Sequence, residues 1–167
     1  MDIKFEFAQK SDLPKIVEIY NQTIKLKTVT ADTQPVTVAD RKSWFEEYNQ
    51  NSYPLWTIKK DNIIIGWVGL EPFYGRAAYS QTAEISLYID ENYRGHHLGT
   101  KTLNFVKSQL KYIGIKNIVA FIFKQNPASL ALFEKQNFNR WGFLPQVAQI
   151  DNNYLDLVIM GQHFDTD

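Results

Sequence analysis

The residues best suited to chemistry stand close together near the middle of the chain. Arg94-Gly95-His96-His97-Leu98-Gly99-Thr100 is a glycine-containing turn between a strand-like and a helix-like segment. Backbone N–H groups in such a turn, at the positive end of a helix dipole, bind phosphate well. Arg94 adds a fork-shaped cation that matches phosphate oxygens. Two familiar phosphate loops do not fit. A Walker loop needs four residues between its glycines and then Lys-Ser/Thr; here only His96, His97 and Leu98 intervene, and Thr100-Lys101 follows. A dinucleotide fingerprint needs G-x-G-x-x-G, and only Gly95 and Gly99 are present. On this local pattern alone, the glycines either serve an anion or simply shape a turn. The paired His96 and His97 are not expected to bind metal, because no carboxylate cluster flanks them.

Just upstream lies a candidate proton acceptor, Glu84. Over Thr82–Ile89, Ala83, Ile85, Leu87 and Ile89 share one face, while Glu84, Ser86 and Tyr88 share the other. A carboxylate inside a sheet is costly unless paired or solvated, so Glu84 implies a pocket. The alternative is a surface strand whose Glu faces water. A lone Arg such as Arg76 is by the same token usually solvated.

These side chains need elements to hold them. Ile3, Phe5 and Phe7 alternate as in a strand. Ser11-Asp12 offers a cap, Pro14 falls early, and Leu13, Ile16, Val17, Tyr20 and Ile24 recur at helical spacing. The pattern predicts a helix from Ser11 to about Lys25, a polar loop over Lys27–Thr37, and a second helix around Ala39–Tyr48. Leu55–Ile58 and Ile63–Leu70, joined by Lys59-Lys60-Asp61-Asn62, read as a hairpin. Leu103, Val106, Leu110 and Ile113 repeat at helical spacing up to Gly114, a stop signal. A strand at Asn117–Phe123 follows, then a short helix from Asn126-Pro127 to about Gln136, with two closing strands near Asn139–Val147 and Tyr154–Met160. The order β-α-α-β-β-β-α-β-α-β-β indicates an α/β protein with a mixed sheet.

At 167 residues, with 44 % hydrophobic residues including 11 Phe, 9 Tyr and 4 Trp, the chain suits a single domain spanning residues 1–167. Lys and Arg balance Asp and Glu at 18 each, which argues against a nucleic-acid partner. With no cysteine, disulfides, thiolate metal sites and a cysteine nucleophile are excluded. Neither a signal peptide nor about 18 consecutive apolar residues occurs, so a cytoplasmic, soluble chain without membrane contact is expected.

Arg94-Gly95-His96-His97-Leu98-Gly99 resembles the acetyl-CoA signature of the GNAT superfamily, Q/R-x-x-G-x-G/A. The likeness extends in order to the phosphinothricin acetyltransferase-like branch. It runs through Ile19-Tyr20-Asn21, Thr28 to Pro35, Arg76-Ala77-Ala78-Tyr79, Glu84 to Ile89, Asn126 to Leu132, and Tyr154-Leu155-Asp156. The resemblance implies a single-domain GNAT fold: a mostly antiparallel sheet, flanked by helices, whose splayed central strands hold acetyl-CoA. It implies an acetyl-CoA-dependent N-acetyltransferase, without metal, acting by direct attack on a small amino-acid-like amine. Phosphinothricin, methionine sulfoximine and methionine sulfone belong to that class. Peptide or protein amines, and acyl-CoA binding without catalysis, are the alternatives. A homodimer is implied as well.

Carried over residue by residue, the resemblance makes Glu84 the general base. It gives the CoA arm to the backbone of Leu87, Tyr88 and Ile89. The diphosphate goes to Arg94, Gly95, His96, His97, Leu98, Gly99 and Thr100, with further CoA contacts from Asn126 and Ser129. Ala31, Arg76, Tyr79, Ser86 and Tyr88 are expected around the acceptor. Three departures stand out. His97 occupies a usual glycine, so a positive φ there would be strained. Phe133 replaces the usual acid and is expected to pack beside the CoA arm. Ala31 replaces a Phe and should widen the acceptor pocket.

Overall fold

The computed structural model describes residues 2–166. Its strands are β1 (Lys4–Phe7), β2 (Leu55–Lys60), β3 (Ile63–Pro72), β4 (Thr82–Ile89), β5 (Asn117–Phe123), β6 (Asn139–Ile150) and β7 (Asn153–His163). Its α-helices are α1 (Leu13–Asn21), α2 (Val38–Glu46), α3 (Leu98–Ile113) and α4 (Pro127–Lys135). The strands form one sheet in the order β1-β2-β3-β4-β5-β7-β6, antiparallel throughout except for β4 against β5. This is the expected single-domain α/β arrangement. Among the described residues, no helix is long and apolar enough to cross a membrane.

The alternation of apolar residues assigns the two faces. Val68, Leu70, Ala83 and Ile85 pack with Leu103, Val106 and Leu110 of α3 and with Phe133 of α4 in the main core. On the opposite face, Ile16, Ile19 and Tyr20 of α1 pack on Leu55 and Trp67, joined by Trp44, Phe45 and Tyr48. Glu84, alternating with Ala83 and Ile85, therefore belongs to the α1–α2 side.

β4 carries the site because its two edges differ. It pairs with β3 along its full length, from Ala83↔Pro72 to Ile89↔Gly66. With β5 it pairs only at Thr82↔Asn117, Ala83↔Ile118 and Glu84↔Val119. Past Glu84 the two parallel strands splay, and the freed edge of β4 presents backbone N–H and C=O groups with no strand partner. Glu84 marks the apex of the fork.

Several boundaries differ from the sequence expectation. The helix expected over Ser11–Lys25 is a 3₁₀ turn at Lys10–Asp12, then α1, then a second 3₁₀ turn at Ile24–Leu26. Asp12 turns back to accept the Gln9 N–H at 2.8 Å, and the Thr23 hydroxyl donates to the Tyr20 carbonyl at 2.7 Å. Such local side-chain bonds compete with the helical ladder. α2 begins a residue early at Val38, held by a reciprocal Thr37–Asp40 capping box. The β2–β3 hairpin needs only Asp61-Asn62 as its turn, both with positive φ (50° and 65°), which Asp and Asn tolerate. β6 and β7 outrun expectation, reaching Ile150 and spanning Asn153–His163, and bulges between Arg140 and Gly142 and between Leu144 and Ala148 accommodate Pro145 within β6.

Candidate active site

The fork opens a groove of about 1070 Å³ between the free arms of β4 and β5, closed by the start of α3, by α4 and by residues 28–31. Leu87, Tyr88 and Ile89 line it from β4. Arg94, Gly95, His97, Leu98, Gly99 and Thr100 line it at the start of α3. Gly95 has φ 85° and His97, the residue capping α3, has φ 58° and ψ 26°. His97 is thus a left-handed residue at a position that suits glycine. Gly99 has a packing reason: an added Cβ would stand 2.7 Å from the Leu132 side chain of α4.

Asn126 and Ser129 also line the groove, and Asn126 caps α4 as well: Ser129 N–H donates to Asn126 Oδ1 at 3.3 Å, and Asn126 Nδ2 donates to Ser129 Oγ at 3.0 Å. Phe133 is buried, edge-on to Phe138 at 4.9 Å, while still touching the groove. It packs there and has no proton to give.

On the α1–α2 side lies a smaller cavity of about 330 Å³, walled by Tyr20, Asp32, Arg41, Trp44, Trp67 and Glu71. Ser86 and Tyr88 line both cavities and so stand at their boundary. Glu84 lines the groove beside them. Burial, and then the neighbouring Glu71 charge, push the Glu84 carboxyl from its ordinary 4.5 up to about 7. A carboxyl raised that far narrows the proton gap to a substrate ammonium, and the transfer stays uphill by less than it would for an ordinary Glu.

The phenols around the cavity stay neutral. Burial, and then Asp32, raise Tyr20 to about 12, its hydroxyl bonding both Asp32 and Thr30. Tyr88 and Tyr48 are raised further by burial. Arg41 Nη2 donates to Asp32 Oδ2 at 2.9 Å, and its guanidinium lies over the Tyr20 ring at 4.7 Å.

Some expected residues are not part of this arrangement. His96 does not line the groove, being exposed where the loop turns outward. Arg76 and Tyr79 line neither cavity. Their turn precedes the first residue of β4, whereas the fork opens beyond Glu84; Tyr79 instead packs edge-on to Phe73 and Tyr74. Ala31 lines the groove rather than the smaller cavity, so its small side chain widens the former.

Conversely, sequence reasoning missed Arg41, Trp44, Glu71 and Asp32. A faint signal existed for the first three. Arg41, Trp44 and Tyr48 fall three or four apart along one helix face, and Trp67, Gly69 and Glu71 alternate along one strand face.

Known proteins resemble this chain along most of its length. The sequence model described as the acetyltransferase (GNAT) family matches residues 16–138. YwnH of Bacillus subtilis, provisionally named a phosphinothricin acetyltransferase, is 44 % identical over 93 % of this chain and 95 % of its own. An L-methionine sulfoximine/L-methionine sulfone acetyltransferase of Pseudomonas aeruginosa is 29 % identical over 99 % of this chain and 96 % of its own. The Salmonella typhimurium protein yncA, solved with its cofactor acetyl-CoA, superposes with a TM-score of 0.90 at 26 % identity, covering 99 % of this chain and 95 % of that one.

Proposed function

The chain belongs to the GNAT acetyltransferase family, and from that premise we propose that it acetylates the amino group of a small amino-acid-like molecule by direct attack on acetyl-CoA. The observation that carries the reading is the raised carboxyl of Glu84 at the border between a long groove and a compact cavity. The groove fits acetyl-CoA by its own features. The unpaired edge of β4 suits an amide-bearing arm, and the Gly95–Thr100 turn with Arg94 suits a diphosphate.

Acetyl-CoA bound there supplies a thioester, whose carbonyl carbon gains a C–N bond as its C–S bond breaks. Glu84 takes the proton from the incoming ammonium, directly or through water, and so delivers a neutral amine. The free backbone N–H groups past the fork polarise the acetyl carbonyl. Overall, ammonium and acetyl thioester give amide, free thiol and one proton. A thiol of pKa about 8.5 leaves without an acid, which accommodates Phe133.

The cavity of about 330 Å³ suits an amino acid rather than a long polymer. Arg41 on its wall keeps donors beyond the one given to Asp32, and a guanidinium fork binds carboxylates well. It supports a carboxylate contact better than Arg76 does. The names of relatives direct attention to phosphinothricin, methionine sulfoximine and methionine sulfone as first acceptors. A homodimer is part of the same proposal and rests on the family resemblance alone; a cytoplasmic location is proposed with it.

The test is thiol release from acetyl-CoA with those three amines, ordinary amino acids, a polyamine and a peptide amine. Release confined to amino-acid-like amines is expected. Release with the polyamine or peptide alone would overturn the acceptor assignment.

A further inference from the structure

The smaller cavity holds a second carboxylate that the reaction as described does not use. Glu71 stands directly across from Glu84 in the β3–β4 register, on the same face of the sheet. Its conformation is set from α2. Trp44 Nε1 donates to Glu71 Oε1 at 2.8 Å, and the Tyr48 hydroxyl donates to the same oxygen at 3.1 Å. Gly69 makes room for this clamp, since an added Cβ would stand 2.8 Å from the Tyr48 hydroxyl. Among the described residues, no side chain bonds the other oxygen, Oε2. Glu71 lines the smaller cavity and Glu84 the groove, with Ser86 and Tyr88 common to both.

Two carboxylates facing each other across a cavity border, one clamped and one not, form a seat for a cation. We infer that Glu71 is the docking carboxylate for the acceptor: its free oxygen holds the substrate ammonium against Glu84 while the rest of the substrate occupies the cavity beneath Arg41. This rests on the reading that the chain acetylates an amine.

The arrangement solves a problem of protonation state. An amine reaches the enzyme mainly as ammonium at neutral pH, so it needs an anion to bind to and a base to lose a proton to. One carboxylate cannot serve both ends of that step well, because the best ammonium partner is a weak base. Glu71 is held in position by two donors, and Glu84, whose carboxyl is raised by burial, accepts the proton. Occupancy of the site by the ammonium also offsets the mutual repulsion of the two carboxylates. The other charged or titratable groups around the pair are Arg41 of α2, Tyr48 after it, Tyr20 of α1, Asp32 in the following loop and Tyr88 of β4. Only Glu71 acts on Glu84 as a resolved charge.

The experiment compares wild type, Glu71→Gln and Glu71→Asp with whichever amine of the panel wild type acetylates best. Gln keeps an oxygen for Trp44 and Tyr48 but removes the charge; Asp keeps the charge. For Glu71→Gln we expect the amine KM to rise at least tenfold with the acetyl-CoA KM unchanged, and the acid limb of kcat/KM to move to lower pH. Glu71→Asp should leave that limb near its wild-type position. An unmoved amine KM, an equal rise in both KM values, or an unmoved acid limb in Glu71→Gln overturns the inference. A wild type that accepts only polyamine or peptide amines refutes the amino-acid assignment instead, and the Glu71 comparison still runs on that amine.

Discussion

Replacing Glu84 by Gln is expected to make the protein more stable and nearly inactive, in a way that depends on pH. In the folded chain the carboxyl ionises near 7 instead of 4.5, because burial and then the Glu71 charge disfavour its anion. At about 1.36 kcal/mol per unit, that shift corresponds to about 3 kcal/mol. Solvent reaching Glu84 through the open groove reduces the figure to about 2 kcal/mol. Below pH 4.5 the group is neutral in both folded and unfolded states, and the stability that goes with a protonated Glu84 is fully present. As pH rises toward 7 the unfolded chain ionises first, and that stability drains away. Above 7 the loss is complete. Gln cannot ionise, so Glu84→Gln should exceed wild type by about 2 kcal/mol at pH 8 and match it near pH 4.5. For a domain of this size that is about 4–8 °C in Tm at pH 8. Turnover should fall about 10²–10⁴-fold, the usual contribution of a general base. Thermal unfolding from pH 4.5 to 8, beside thiol-release kinetics, makes the test. A Tm difference that is absent at pH 8, or equal at all pH values, would refute the claim that Glu84 is a desolvated carboxylate.

Three further outcomes follow from particular contacts. His97→Gly removes a left-handed side-chain penalty of about 1–2 kcal/mol, less the added backbone entropy of glycine. A net gain of about 1 kcal/mol, read as Tm, is expected with acetyl-CoA affinity held or improved, and a loss of stability would contradict the strained reading of φ 58°. Gly69→Ala puts a Cβ 2.8 Å from the Tyr48 hydroxyl, so Tyr48 must retreat from Glu71; the amine KM should rise several-fold while the acetyl-CoA KM stays put. Thr37→Ala breaks the cap of α2, a helix with no fully buried residue, and should cost about 1 kcal/mol in a denaturant titration.

How much of this was legible in the chain itself depends on the reach of the physics involved. β4, α3 and β5 fall where period and stop signals put them, from Thr82 to Phe123, because alternation, helical spacing and Gly114 act within a few residues. The glycine turn was legible for the same reason, since strand, turn and helix start are consecutive; its anion-binding reading came from the family resemblance. The left-handed backbone of His97 agrees with the glycine that the resembling family usually has at that position. Helix ends around α1 were less legible, because Asp12 and Thr23 had a choice of local partners.

The smaller cavity, by contrast, is a product of long-range register. Glu71 faces Glu84 only because β3 and β4 pair as they do, with residues 73–81 looping between them. Arg41 and Trp44 reach the cavity only because α1 and α2 pack on the Trp67 face. Arg76 and Tyr79 carried a stronger local pattern, yet their turn stands at the wrong end of β4 to line either cavity. The raised carboxyl of Glu84 belongs to the same category, since desolvation requires the surrounding wall and repulsion requires Glu71. Residue type and short spacing determined the elements and the glycine turn, and the family resemblance singled out the candidate base. Only the tertiary structure decided which side chains surround that base, because burial and charge proximity are set by residues distant in the chain and adjacent in space.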